Sequence, residues 1–559
     1  MRKQLALALV GAMTAGLLAG CGSTDSGSPA AASQDTAAAT SAATAAAAAS
    51  TDAAAAASTS ASGDLTDANG APTTQAAIDA IQKRKDSGNY PKIVLAFMNF
   101  AGSPAGIERI SQDISKRTEE TLGVDVELQI MDAASYSQNM NLMLASGEQV
   151  DVFNAVSVGY LPCVNKGYCL DMDEDDLLNT YGLGIKAAVG DKWINASRVS
   201  GSLYGITSMK EMGQGLFGIS VAQQYLDGIG YDYASAEKDE NGIIHVTLDD
   251  VSKIFSDLHT KYPDKTVFYL DAGTMIGQCL EVDQLGNDPF GVLTDPVNDL
   301  TVSDLFSSDV YKNACKQMYT WNQAGYLSQD AMTETTATTV QVKSGSLMAY
   351  KTAIKPGIVA QESNLCGEPM VLFQTGGNFV ASNTASSMPW CINSQTEDPV
   401  TAMQVLNAFY SDPVLSNLIC WGEEGKEYQK TDDGHIDFAD GVSADTSEYY
   451  NNVNWEMPNQ FIADIWTGND MDVWTKTASF NEQCDTTKAL GFTFDSSDVS
   501  AEYTALNNVY TEYRDQLELG FLNPDTGIPE MEGKLKAAGL DDYMKAKQSA
   551  LDEWAKTAK

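Results

Sequence analysis

The stretch NNVNWEMPNQF, residues 451–461, sets an indole close to two side-chain amides: Trp455, Asn459 and Gln460. A sugar ring presents flat apolar faces and a rim of hydroxyls. An aromatic ring can cover such a face, and planar amides can donate to and accept from the rim. The stretch lacks the apolar periodicity of a core element, so these three residues are the leading candidates for contact with a small polyhydroxylated ligand.

Other chemistries find less support. The three histidines, His245, His259 and His435, have no metal-ligand spacing, and neither KSGSLM nor SGSLYG fits the G-x-S-x-G nucleophile elbow. No C-x-x-C pair exists, so structural zinc is not expected. In DMDEDDLLNTYG, Asp171, Asp173 and Asp175 take the first three positions of a calcium loop. Asp176 replaces the required glycine and Gly182 the bidentate glutamate, so the run reads as the solvated start of a helix. A glycosidase needs only two carboxylates, which the sequence has in abundance, and that alternative stays open.

The first residues, MRKQLALALVGAMTAGLLAGC, place two cations before a short apolar run ending in small side chains. This is the layout of a secretory signal, too short to span a bilayer. Leu18, Ala19, Gly20 and Cys21 resemble the bacterial lipobox, which implies a lipid-modified Cys21 as the mature first residue. From Gly22 to about Thr74 the chain is almost wholly Ala, Ser, Thr, Gly and Asp, with no aromatic residue. Such a segment cannot build a core. As a coil of about fifty residues it would span roughly 40 Å and tether a folded body to a membrane.

Beyond the tether about 480 residues remain, too many for one hydrophobic core, so at least two lobes are expected. The formal net charge of −41, from 75 acidic and 34 basic residues, disfavours nucleic acid. It also repels anionic solutes at long range. Eight cysteines remain besides Cys21: Cys163, Cys169, Cys279, Cys315, Cys366, Cys391, Cys420 and Cys484. In CVNKGYC the pair Cys163 and Cys169 is spaced for a possible bridge across a tight loop, while Cys391 and Cys420 sit in apolar stretches as core thiols.

The elements that must position a site are read from local pattern. IVLAF after Lys92 reads as a strand buried on both faces. Ser103-Pro104 should start a helix carrying Ile107, Ile110, Ile114 and Leu122, stopped by Gly123. VDVELQIM, the helix SYSQNMNLMLASG and VDVFNAV continue the alternation, which implies right-handed crossovers and a parallel sheet. Ligands of open α/β sheets bind beyond the carboxyl ends of the strands. That rule nominates Asn99, Phe100 and Tyr160, and the N–H groups of the helix at Pro104 could donate to hydroxyls or to an anion. Tyr204, Glu211 and Trp390 are further candidates beside predicted strands, whereas Trp321 and Trp421 read as packed. Strand and helix patterns recur from residue 214 onward, and a helix pair interrupted at Pro413 comes after them.

Several separated segments together are similar to bacterial extracellular solute-binding protein family 1, which serves carbohydrate ATP-binding-cassette importers. They are YSQNMNLMLASGEQVDVF, SGSLYGITSMKE (with Thr207 where proline is usual), WNQAGYLSQDAM with VQVKSGSLMAYKT, and DPVTAMQVLNAFYSDPVLSNLICWGEEGKEYQ. The C-terminal GFTFDSSDVSAEYTALNNVYTEYRDQLELGFLNPDTG also fits, up to LKAAGLDDYMKAKQSALDEWAK. The resemblance implies a two-lobed α/β fold of the periplasmic-binding-protein type (type II), with a hinge and an interlobe cleft. It implies capture of a neutral sugar or oligosaccharide, permease subunits as partners, no cofactor, no catalysis and an extracytoplasmic, lipid-anchored monomer. It also implies that the Trp455 to Gln460 segment lies near the cleft. Peptides or amino acids are the alternative ligands. The expected division is leader 1–20, tether 21–75, first lobe 90–212, second lobe 213–370, a return to the first lobe at 371–420, and 421–559 completing both.

Overall fold

A computed structural model describes residues 65–100, 103–450 and 453–558. The leader, Cys21 and most of the expected tether lie outside the described residues. Residues 65–74, assigned to the tether from composition, instead fold onto the body. The Asp67 carboxylate accepts from the backbone N–H groups of Asn69 and Ala71, and Arg117 donates to the Asn69 side chain at 2.7 Å. Thr74 then caps the helix Gln75–Ser87.

In the first lobe the apolar run after Lys92 forms the strand Lys92–Asn99, buried along its whole length after the first residue. It pairs in parallel with Asp125–Asp132 and Val152–Asn154, and Trp390–Ile392 adds an antiparallel edge. Asp151, just before the third strand, accepts the Val94 N–H at 2.9 Å and the Thr396 hydroxyl at 2.6 Å, fixing where that strand begins. The helices Ile107–Leu122 and Ala133–Ser146 make the expected crossovers, each closed by a left-handed glycine, Gly123 or Gly147. The first of them begins three residues later than Pro104 suggests. Gly106, not Ser103, stands at its cap, because the Gly106 N–H is taken by the Glu448 carbonyl at 2.7 Å.

The second lobe is built on the strand Gln214–Ala222. Antiparallel to it lie Leu347–Ile354, Met370–Gln374 and Asn378–Val380, while Thr266–Tyr269 and Asp485–Thr486 pair in parallel at the margins. Residues 371–380, expected in the first lobe, therefore belong to this sheet: their apolar alternation fits either lobe, and only pairing decides. The return to the first lobe comes at Trp390. Residues 421–484 then pack mainly with the first lobe's core, whereas the final helices Ser500–Glu518, Pro524–Ala537 and Leu540–Ala555 pack with the second.

The chain thus passes between lobes three times, near 207–213, 381–389 and 484. Ile206 pairs with Trp390 on one side, and Phe379 pairs with both Gln214 and Asp485 on the other. Buried Asn481 staples the first crossing, accepting the Met212 N–H at 2.7 Å and donating to the Lys210 carbonyl at 2.8 Å. Few backbone crossings between two separately packed cores make a hinge.

Candidate functional site

Between the lobes lies a cleft of about 1770 Å³. Its first-lobe wall is the carboxyl end of the parallel sheet: Met98, Phe100, the loop Val156–Pro162 and Trp455, with the segment 198–201 beyond. Its second-lobe wall comes chiefly from residues 488–495 and the end of the last helix, including Trp554. Ser157 and Ser200, both on the lining, hold φ of 61° and 52°, which a side chain rarely adopts. Such strained positions concentrate where function shapes the backbone.

Of the residues nominated from sequence, three line the cleft. Phe100 is 37% exposed; Trp455 is half-buried on the turn Asn454–Glu456. Tyr160 is buried against the lining, its hydroxyl donating to the Ser197 carbonyl at 2.8 Å.

The others are held away from it. Asn459 is buried, donates to the Tyr410 carbonyl at 2.8 Å and accepts the Phe461 N–H at 3.0 Å, capping the turn Gln460–Ile462. Gln460 is buried and donates to Glu211 at 3.4 Å. Glu211 itself pairs with Lys355 at 3.2 Å in the crossing region. Burial disfavours its charge, yet Lys355 and Lys210 outweigh that and hold the carboxyl down at about 2. Trp390 is a core residue with its ring against Phe97 and its indole N–H donating to the Glu456 carbonyl at 2.7 Å. Asn99 is buried, donating to the Tyr450 carbonyl at 3.1 Å. Half-buried Tyr204 packs against the first lobe's smaller core cluster.

No bridge joins Cys163 and Cys169. Both are buried free thiols in hydrogen-bond contact, and Cys169 also meets the Cys391 thiol. Cys169 lies beside both Cys163 and Cys391, a cluster that the loop spacing alone does not reveal. Asp173, from the acidic run, is committed to Arg198.

Sequence reasoning passed over Glu456, which is completely buried behind the cleft wall. One carboxyl oxygen accepts the Met98 N–H at 3.4 Å and the other has no partner among the described residues. Burial pushes this carboxyl well above its ordinary range, favouring its neutral form. It also passed over the polar lining. Asn165 donates to Asp495 across the lobes at 2.8 Å, Ser386 lies 3.1 Å from the Thr493 hydroxyl, and Asn383 donates to Asn287 at 3.0 Å.

The cleft's three cations are all engaged. Arg198 pairs with Asp173, Lys192 sits 4.6 Å over the Trp193 ring, and Lys488 donates to the Asn298 carbonyl at 2.6 Å. With Asp495 and Glu553 also on the lining, the wall offers amides, hydroxyls and half-exposed rings rather than a pocket of one charge. That set can hold an uncharged, hydroxyl-rich molecule.

Two α/β lobes, three crossings and a cleft at the sheet's carboxyl edge define the class: this is the two-lobed fold of the extracellular solute-binding proteins. The chain is 22% identical over 486 residues to a carbohydrate ABC transporter substrate-binding protein of Streptococcus pneumoniae serotype 4 (strain ATCC BAA-334 / TIGR4), covering 86% of this chain and 94% of the relative. The N-glycan transport solute binding protein NgtS of Streptococcus pneumoniae superposes with a TM-score of 0.73 at 19% identity, covering 84% of this chain and all of that one. The TM-score falls to 0.63 and 0.61 for NgtS with Man1GlcNAc and with Man5GlcNAc. The substrate-binding protein FusA of S. pneumoniae with kestose matches at 0.55 and 16% identity, over 83% of this chain and all of FusA. A family model described as a domain of unknown function (DUF3502) matches residues 488–556. The resemblance to the solute-binding family read from the sequence is thus borne out.

Proposed function

We propose that this protein captures a neutral carbohydrate in the interlobe cleft and hands it to the membrane subunits of an ATP-binding-cassette importer, making and breaking no covalent bond. The observation that carries the reading is the cleft wall itself, with the half-exposed rings Phe100, Trp455 and Trp554 among amide and hydroxyl groups. Rings cover sugar faces; the amides and hydroxyls reach the rim. The relatives named for carbohydrate transport support the same substrate class.

A glycan touching both lobes would favour the closed form by differential affinity. Delivery needs the protein beside the permease, which a lipid on Cys21 would secure in a monomer facing the extracytoplasmic side. Peptides are disfavoured because the cleft's cations are already engaged.

Thermal-shift measurements against Man5GlcNAc, kestose, maltopentaose and a set of tripeptides test the reading. A glycan at 100 times its Kd should stabilise by about 2.7 kcal/mol. Stabilisation by tripeptides alone would contradict it, as would glycan cleavage during incubation. Mass spectrometry of the mature N-terminus from cells tests the anchor, with an acylated Cys21 expected and an unmodified Cys21 opposing it.

A further inference from the structure

We infer that the C-terminal segment 488–556, which matches a domain of unknown function, is a ligand-binding element, with Trp554 as the second lobe's stacking platform for a glycan of several rings. The inference rests on the carbohydrate reading of the cleft and assigns that segment its part in it.

The last helix, Leu540–Ala555, points its end into the cleft, where Ala550, Glu553, Trp554 and Ala555 join the lining. Trp554 is half-buried. Phe492 meets its ring at 5.7 Å and 62°, an edge contact that steadies the indole. One part of the ring packs against the cluster of Leu285, Leu293, Ala489, Phe492 and Leu551; the lining neighbours Ala550, Ala555, Ala558 and Gly491 are too small to cover the rest.

The helix is anchored as a platform must be. The Lys547 ammonium is completely buried and donates to the Asp288 carboxylate at 2.9 Å and to the carbonyls of Gln284 and Gly291 at 3.2 and 3.0 Å. The Tyr543 hydroxyl donates to the other Asp288 oxygen at 2.9 Å. Leu540, Tyr543, Lys547, Leu551 and Trp554 form one stripe of the helix, so the buried anchor fixes the direction of the indole.

Size sets the ligand. The cleft's 1770 Å³ exceeds the roughly 300–1,000 Å³ that encloses a drug-sized molecule. A single ring on Trp455 or Phe100 leaves Trp554 unused; a chain of rings can rest on both lobes at once. Trp554 therefore discriminates by chain length.

The test is calorimetric titration of the whole protein and its Trp554→Ala and Trp554→Phe variants with Man5GlcNAc, kestose, maltopentaose and mannose. The expected result is a loss of about tenfold or more in Kd for the best-bound oligosaccharide in Trp554→Ala, unchanged binding of mannose, and recovery in Trp554→Phe. Unchanged circular dichroism and melting temperature show that the fold is intact. If wild type binds an oligosaccharide and Trp554→Ala binds it equally well, or if mannose binding falls in parallel, the inference is overturned and the carbohydrate reading stands. If wild type binds none of the four while binding tripeptides, the reading itself fails and takes the inference with it.

Discussion

Glu211→Gln separates a hinge role from a ligand-binding role for the crossing segment. In wild type the Glu211 carboxylate lies 3.2 Å from Lys355 and its carboxyl is held at about 2, against an ordinary 4.5. That depression corresponds to about 3 kcal/mol in favour of the charged form when folded. The two side chains are 22% and 29% exposed, so solvent screening reduces the contribution to about 1–2 kcal/mol. Because the folded value lies below the unfolded one, the stability is present above about 4.5 and is lost as pH falls from there towards about 2. Glutamine keeps the shape and removes the charge. Urea unfolding of wild type and variant in a pH series should show the variant weaker by about 1–2 kcal/mol at pH 7, with the two curves converging near pH 2.5. Glycan affinity should stay within about threefold, since Glu211 does not line the cleft. Equal stability at pH 7, or a gap that persists unchanged at pH 2.5, refutes the ion-pair account.

Three further perturbations have defined outcomes. Trp455→Ala removes the first-lobe indole on the cleft and should weaken the best-bound oligosaccharide about 10- to 100-fold by titration calorimetry, and it should lower the melting temperature because the ring also packs against the first lobe's core clusters. Glu518→Gln should stabilise the second lobe by about 2–3 kcal/mol at pH 8 and by under about 1 kcal/mol at pH 5 in denaturant unfolding. Burial raises the Glu518 carboxyl to about 7, so its protonated-state stability is lost as pH rises from about 4.5 through 7. Lys547→Ala leaves the buried Asp288 carboxylate with the Tyr543 hydroxyl but without its cation, and should cost about 3–5 kcal/mol in urea unfolding.

The scaffold was legible where local pattern and tertiary structure agree. The continuous apolar run after Lys92, the glycine stops at Gly123 and Gly147 and the short loops between them suffice for a parallel βαβ sheet. The cleft edge came from the rule for such sheets, which placed Phe100 and Tyr160 on the lining. The amides were not legible. Asn459 and Gln460 have the right chemistry for a sugar rim, but Asn459 is taken by the backbone of Tyr410 and Phe461, and Gln460 by Glu211. Which buried groups need a partner is a tertiary property. Trp554 was hidden for the opposite reason. It continues the stripe of Leu540, Tyr543, Lys547 and Leu551, so its spacing reads as core, and the ring does pack on the core edge while also lining the cleft. The strand Met370–Gln374 shows the same limit at larger scale: an apolar run declares a strand, and only its hydrogen-bonded neighbour declares the lobe.

Small-angle scattering of the folded body, titrated with the oligosaccharide that stabilises it most, tests the central claim most directly. The account predicts a radius of gyration that falls and saturates at one glycan per protein, as the lobes close around the ligand. A bound glycan that leaves the scattering unchanged through saturation would contradict capture by closure.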